Sequence, residues 1–184
     1  MTDASNDKTA IRAAARAARA RFVATQGRIV PCPPQFHALV SHGLTVASYV
    51  PVGSEADPMA LARVAVEAGC AIALPHVVDR ATPIRFLAWD TEAALAAGPF
   101  GLSQPHDHAA ELAPDIILTP LVAFTRSLDR LGQGAGHYDR AFARFPDAKR
   151  IGVALSAQEV KALPVDPWDI PLHAIVTERE WITS

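Results

Sequence analysis

LTVASYVPVGSEADPMALARVAVEAGCAIALP, residues 44–75, reads as strand, loop, helix and strand in succession. Residues 44–50 form a short apolar run of the length expected for a buried strand. Residues 51–55 are a loop. Asp57-Pro58 then signals a helix start, with Asp as the N-cap and Pro as the first helical residue. The helix pattern runs to Ala68, and Gly69 ends it. Residues 70–75 are again apolar and strand-length. Two strands joined by a helix make a βαβ unit, which runs parallel and buries its strands on both faces. The alternation continues along the chain. Strands are predicted over 84–89, over 115–124 with an interruption at Pro120, over 150–155 and over 173–178. Helices are predicted over 8–23 and 137–145, with shorter ones over 35–42 and 93–97, and 98–105 is a turn-rich loop. The order predicts an α/β fold with a mostly parallel central sheet covered on both faces.

The length of 184 residues suits a single domain, taken as 1–184, with the polar residues 1–7 expected to be disordered and Asn6 or Asp7 to cap the first helix. Half of the residues are hydrophobic and a fifth are charged, as in a globular protein. A formal net charge of −2 supplies no global basic field for nucleic acid. Cys32 and Cys70 lie far apart and in no metal-ligand spacing, which suits a reducing compartment. No apolar run approaches the ~20 residues of a membrane span, and the first residues lack the apolar centre of a secretory signal. The expectation is a cytoplasmic protein with no membrane or nucleic-acid partner.

The densest chemistry lies in RLGQGAGHYDR, Arg130 to Arg140. Gly132, Gly134 and Gly136 alternate with Gln133 and Ala135. This is neither a Walker A loop nor the GxGxxG dinucleotide fingerprint. Alternating glycines still permit positive φ and let several backbone N–H groups converge on an anion. Tyr138, Ala141, Phe142 and Phe145 repeat at helical spacing, so a helix N-terminus adds unpaired N–H groups and a positive dipole end. Arg130 adds a fixed positive charge. A phosphate cradle and a tight turn without a ligand both fit the loop taken alone. Asp139 sits in the first turn of that helix. It is either a residue that favours the helix dipole, or, with phosphate beside it, a ligand to a bridging Mg²⁺.

The other candidates are less specific. Lys8, Arg12, Arg16 and Arg19 form a basic stripe beside the apolar stripe Ile11, Ala15, Ala18 and Phe22. Such a face is ordinarily solvated, but Lys8 and Arg12 at i and i+4 can reach one polyanion. Glu55 follows the first sheet strand, at the end where open α/β sheets place ligands, and a carboxylate there can accept two hydrogen bonds from an amidine-like edge. Taken alone, an ordinary loop glutamate is the commoner reading of such a position. His106-Asp107-His108 lacks a third ligand and reads as a solvated loop. No Ser, Cys or Thr stands in a nucleophile-elbow context.

Taken in order, these pieces resemble the 5-formyltetrahydrofolate cyclo-ligase family over residues 8–178. The matching patterns are Lys8, Arg12 and Arg19; Tyr49, Pro51 and Glu55; Gly101 to Pro105; Arg130 to Arg140; and Pro164, Asp169, Thr177 and Glu178. The resemblance implies a three-layer α/β/α sandwich. It implies an ATP- and Mg²⁺-dependent ligase that phosphorylates the formyl oxygen of 5-formyltetrahydrofolate, after which N10 closes the ring to 5,10-methenyltetrahydrofolate. Lys8 and Arg12 would hold ATP phosphates, with Lys8 and Arg130 the catalytic cations. Arg130, Leu131, Gly132, Gln133, Gly134, Ala135, Gly136, His137 and Tyr138 would line the nucleotide, Gln133 to His137 also touching the folate. Val50 and Glu55 would contact the folate, Glu55 on the pterin edge. Asp139 and Asp169 would bind Mg²⁺.

The chain departs from the family pattern at four positions. Thr125 stands where Asp is usual and Gln104 where Glu is usual. Ala135 replaces Gly or Lys, and His137 replaces an aromatic residue. Loss of two carboxylates motivates an alternative, a non-catalytic paralogue that binds folate or nucleotide. A third, a different phosphate-handling enzyme on a similar sheet, needs a general base near the glycine loop, for which Asp139 is the one candidate.

Overall fold

The computed structural model describes residues 4–184. Its strands are β1 (Thr45–Ala47), β2 (Ala71–His76), β3 (Arg85–Ala88), β4 (Ala96–Ala97), β5 (Ser103–Gln104), β6 (Ile116–Pro120), β7 (Ala123–Phe124), β8 (Arg130–Leu131), β9 (Lys149–Val153), β10 (Ala174–Val176) and β11 (Trp181–Ile182). The helices are α1 (Ala4–Gln26), α2 (Pro34–His37), α3 (Met59–Glu67) and α4 (His137–Arg144). Seven strands form the main sheet in the order β11-β10-β9-β6-β1-β2-β3. The interior pairs, β10–β9, β9–β6, β6–β1 and β1–β2, are parallel, and β3 and β11 close the edges antiparallel.

The period-2 geometry of a strand sorts its side chains into two layers. Val46 is in register with Ile72 and Ile116, and all three lie in one core. Ala47 is in register with Ala73 and Ile117, and these lie in the other. Phe36 of α2, Leu61 and Ala65 of α3, and Phe22 and Val23 of α1 cover the first face. Ala141 and Phe142 of α4 cover the second. The result is three layers, helix, sheet and helix. The N-terminal half of α1 runs past the sheet, where Ile11 and Ala15 pack on Val122, Ala123 and Leu131 of the β7–β8 hairpin.

Several element boundaries differ from those expected. α1 takes in Ala4–Asp7, so residues 4–7 are helical rather than disordered, and 1–3 lie outside the described residues. Asp7 stands inside the first turn, where its carboxylate favours the dipole, and neither it nor Asn6 precedes the helix as a cap. Residues 93–97 are not helical. The Asp90 side chain accepts from the Glu92 N–H at 3.1 Å, Trp89 Nε1 donates to the Ala93 carbonyl at 3.0 Å, and β4 pairs with β5. Five residues before Gly98-Pro99 are too few to repay helix nucleation. α2 is a single turn ending at His37, shorter than the 35–42 expected. Pro58 is the residue before α3 rather than inside it, yet Asp57 Oδ1 still accepts from the Met59 N–H at 2.9 Å. Pro120 ends β6, and the next apolar residues join a separate hairpin.

The chain leaves β1 for β2 on one side and β6 for β9 on the other. The strand order therefore reverses between β1 and β6, and the crevice beyond their carboxyl ends is where open α/β sheets bind ligands.

Candidate active site

That crevice holds a cavity of about 610 Å³. Tyr49, Val50 and Glu55 enter from the segment after β1, Pro75 and Val77 from the end of β2, and Pro120 from β6. The glycine loop covers it, and α1 lays Lys8, Arg12 and Arg16 along its rim. These α1 residues follow i, i+4, i+8, which puts them on one helical face.

The loop is pinned at both ends. Arg12 Nε donates to the Gly132 carbonyl at 2.9 Å, and Arg140 Nη1 to the Ala135 carbonyl at 3.0 Å. Gly136, the residue before α4, has φ 67°, a left-handed conformation that costs other residues about 1–2 kcal/mol. The bend starts α4 at the cavity wall, where Gly136, His137, Tyr138 and Asp139 line it, and the first N–H groups of a helix have no partner within the helix.

Charge is concentrated and paired. Lys8 Nζ donates to Asp166 Oδ2 at 2.6 Å and Asp169 Oδ2 at 2.9 Å. Burial opposes the Lys8 charge, but both carboxylates outweigh it and hold its pKa above the ordinary value. Burial likewise opposes ionisation of Asp169. The Asp166 N–H, Lys8 and Arg130 overcome it and hold Asp169 below the usual carboxylate range. Arg130 Nη2 pairs with Asp139 Oδ1 at 2.5 Å, and its guanidinium lies 4.8 Å from the Phe142 ring centroid. Arg130 Nε is buried without a hydrogen-bond partner.

Glu55 is only 9 % exposed and anchors the opposite side. Val52 N–H donates to its Oε2 at 3.0 Å and Gln133 Nε2 to its Oε1 at 3.2 Å. Arg16 donates to Gln133 Oε1, which orients that amide. Each carboxylate oxygen keeps one lone pair for a ligand. Burial, and then Glu55, push the Tyr49 and Tyr138 hydroxyls well above their ordinary pKa, so both stay neutral; Tyr49 donates to the Ala56 carbonyl at 2.7 Å. Burial, then the Arg140 charge, lower the His137 pKa, which keeps the imidazole neutral at pH 7.

Every site residue singled out in the sequence lines this one cavity: Lys8, Arg12, Val50, Glu55, the run from Arg130 to Asp139, and Asp169. Arg16 of the basic stripe and Tyr49 of the motif after the first sheet strand line it too, and sequence reasoning missed Arg80, Phe100, Asp166 and Trp168 beside them. These four come from loops with no periodicity to place them. Arg19, grouped with the basic stripe, is 5 % exposed and donates to Ser54 Oγ at 3.1 Å and the Leu121 carbonyl at 3.2 Å. His106 and His108 stack on each other in an exposed loop, and neither lines the cavity. Among the described residues no three His, Cys, Asp or Glu side chains form a metal cage. Asp139 and Asp169 on one cavity lined by Lys8, Arg12, Arg16 and Arg130 still suit Mg²⁺, which takes one or two carboxylates and fills its other positions with phosphate oxygens and water.

The model of the 5-formyltetrahydrofolate cyclo-ligase family matches residues 4–178. The chain belongs to that family. It is 32% identical over 164 residues to the 5-formyltetrahydrofolate cyclo-ligase of Escherichia coli K12, covering 84% of this chain and 87% of that one. It is 35% identical over 150 residues to the Mycolicibacterium smegmatis protein of the same name, covering 77% of each. The solution structure of Aquifex aeolicus 5,10-methenyltetrahydrofolate synthetase superposes with a TM-score of 0.64 at 27% identity, over 96% of this chain and 84% of that one.

Against the family pattern, the two missing carboxylates leave no loose end. Gln104 is buried, its Oε1 accepting from the Val77 N–H at 3.0 Å and its Nε2 donating to the Val77 carbonyl at 3.2 Å. Thr125 is buried, and its hydroxyl donates to Asp129 Oδ2 at 3.1 Å. No described helix is long and apolar enough to cross a membrane.

Proposed function

We propose that this chain is a 5-formyltetrahydrofolate cyclo-ligase that consumes ATP with Mg²⁺ and forms 5,10-methenyltetrahydrofolate. The observation that carries the reading is the cavity itself. One space of about 610 Å³ holds a cation-rimmed glycine loop and, beside it, a buried glutamate with free lone pairs. A reaction between a nucleotide and a pterin needs both.

In this reading Glu55 and Val50 hold the pterin, Glu55 accepting from its amidine-like edge, and Gln133 to His137 close over the folate. Lys8 and Arg12 bind the ATP phosphates, and Arg130 to Tyr138 line the nucleotide. The formyl oxygen attacks the γ-phosphorus and ADP leaves. N10 then attacks the activated carbon, the new C–N bond forms, and the carbon–oxygen bond breaks as phosphate departs with the proton that N10 loses. Lys8 and Arg130 neutralise charge that builds on the transferring phosphoryl group. Asp139 and Asp169 would hold Mg²⁺, which when bound screens the phosphate charge and orients the phosphoryl group. Asp169 pairs with Lys8 through Oδ2 and Asp139 with Arg130 through Oδ1, so the other oxygen of each carboxylate would be the one offered to the ion. The chemistry needs positioning and exclusion of water more than an acid–base pair, consistent with the neutral tyrosines and His137 around it.

The buried, satisfied positions of Gln104 and Thr125 give no support to a non-catalytic paralogue. Both cysteines are free thiols, consistent with a cytoplasmic, single-domain enzyme acting on small molecules. The test is the rise in ultraviolet absorbance of the methenyl product from 5-formyltetrahydrofolate with Mg-ATP. No product from folded protein at high concentration overturns the reading.

A further inference from the structure

The cations around the cavity are not equivalent. Lys8, Arg12, Arg16 and Arg130 are all committed to protein acceptors. Arg80, in the loop between β2 and β3, is the exception. Among the described residues its guanidinium donates no hydrogen bond and pairs with no carboxylate. Its contact is the face of Phe100, 5.7 Å from guanidinium carbon to ring centroid. Neighbouring Asp79 turns instead to its own loop, its Oδ1 accepting from the Ala81 and Thr82 N–H groups at 2.8 and 2.7 Å.

Phe100 is itself unusual. It is 59% exposed yet held at φ 60°, a left-handed backbone that a bulky residue adopts only where its surroundings impose it. Such outliers gather at ligand clamps. An exposed ring and an unpaired arginine thus stand together on the cavity wall.

The glycine loop fixes where that pair lies. At the start of the loop, Gln133 bonds to Glu55. At its far end, Arg140 ties His137 and the Ala135 carbonyl to the Arg80 carbonyl, at 3.1, 3.0 and 2.9 Å. Glu55 and Arg80 therefore mark the two ends of the loop, with the phosphate-binding donors between them. A folate has the same order. Its pterin edge lies at one end, the reacting N5 and N10 at the centre, and a p-aminobenzoyl ring carrying a glutamate at the other.

We infer that Arg80, stacked on Phe100, is the specificity-determining residue for the acidic tail of the folate, pairing with its glutamate carboxylate while Phe100 borders the benzoyl ring. This rests on the cyclo-ligase reading above and adds a tail subsite to it. A charge-assisted contact remote from the reacting centre acts on binding, so it belongs in KM rather than kcat.

The experiment compares 5-formyltetrahydrofolate with 5-formyltetrahydropteroate, which lacks the glutamate, in wild type and Arg80→Gln. The wild type is expected to show a KM about tenfold higher for the pteroate, the size of one such contact. Arg80→Gln raises the KM for the folate by the same factor, leaves its kcat in place and has one KM for both substrates. Arg80→Lys recovers part of the discrimination. Discrimination that persists in Arg80→Gln, or an equal loss on both substrates, overturns the inference. A wild type that turns over neither substrate overturns the cyclo-ligase reading, and this inference with it.

Discussion

Asp139 is drawn two ways, toward Arg130 in the free chain and toward a metal in the proposed reaction. Asp139→Asn keeps the shape and removes the charge. It is expected to slow methenyl formation by about 100-fold or more, as loss of a charge on a phosphoryl-transfer metal does. It should cost about 1–3 kcal/mol in urea unfolding, below the loss on breaking a fully buried pair, because Asp139 is partly exposed and Phe142 still faces the guanidinium. Full activity with a lowered melting temperature would make Asp139 a structural partner only. His137 gives a pH prediction. Its folded pKa is depressed, so between that value and the ordinary one, about 6.5, the unfolded chain binds more protons. Stability is fully present above pH 6.5 and falls as the pH drops through that window. An NMR titration should place the His137 imidazole below 6.5, and His137→Phe should flatten the decline in urea midpoint between pH 7.5 and 5.5. At this scale the sequence named both residues, but it could not say that Asp139 faces an arginine.

Elements obey local rules that were legible. The glycine loop followed by an amphipathic helix was readable because Gly136 must bend where α4 begins and Ala141 and Phe142 must face the core. The apolar stripe of α1 was readable for the same reason. Its basic stripe was readable over Lys8, Arg12 and Arg16 but not at Arg19, which is buried and donates to Ser54 and Leu121, residues that the helix period knows nothing about. Strand β9 carries a prediction of its own. A Cβ at Gly152 would lie 2.7 Å from Leu172 Cδ1 and 2.8 Å from Leu121 Cδ2, and both leucines are buried. Gly152→Ala should overpack this face and cost about 1–3 kcal/mol, read from the urea midpoint. An unchanged midpoint would show that the two leucines repack freely.

At the scale of the molecule, nucleotide and folate together would tie α1, the segment after β1, the glycine loop and the loop carrying Asp169. Binding to the folded chain alone stabilises it by mass action. Mg-ATP at about 100 times its Kd should add about 2.7 kcal/mol, seen as a rise in Tm. Arg12→Ala frees the Gly132 carbonyl and removes a phosphate contact, so the rise at the same nucleotide concentration should shrink. An undiminished rise would remove Arg12 from the nucleotide site.

Sequence by itself determined the layers and the outline of the site. Strand and helix periods and turn chemistry act over a few residues, and residues 44–75 show them in plain view. Tertiary structure decided who pairs with whom. Lys8 meets Asp166 and Asp169 across 158 and 161 residues, and Arg80 is left without a carboxylate while its neighbours are all engaged. Such pairings depend on where distant loops return at the end of the sheet, and no local pattern carries that distance.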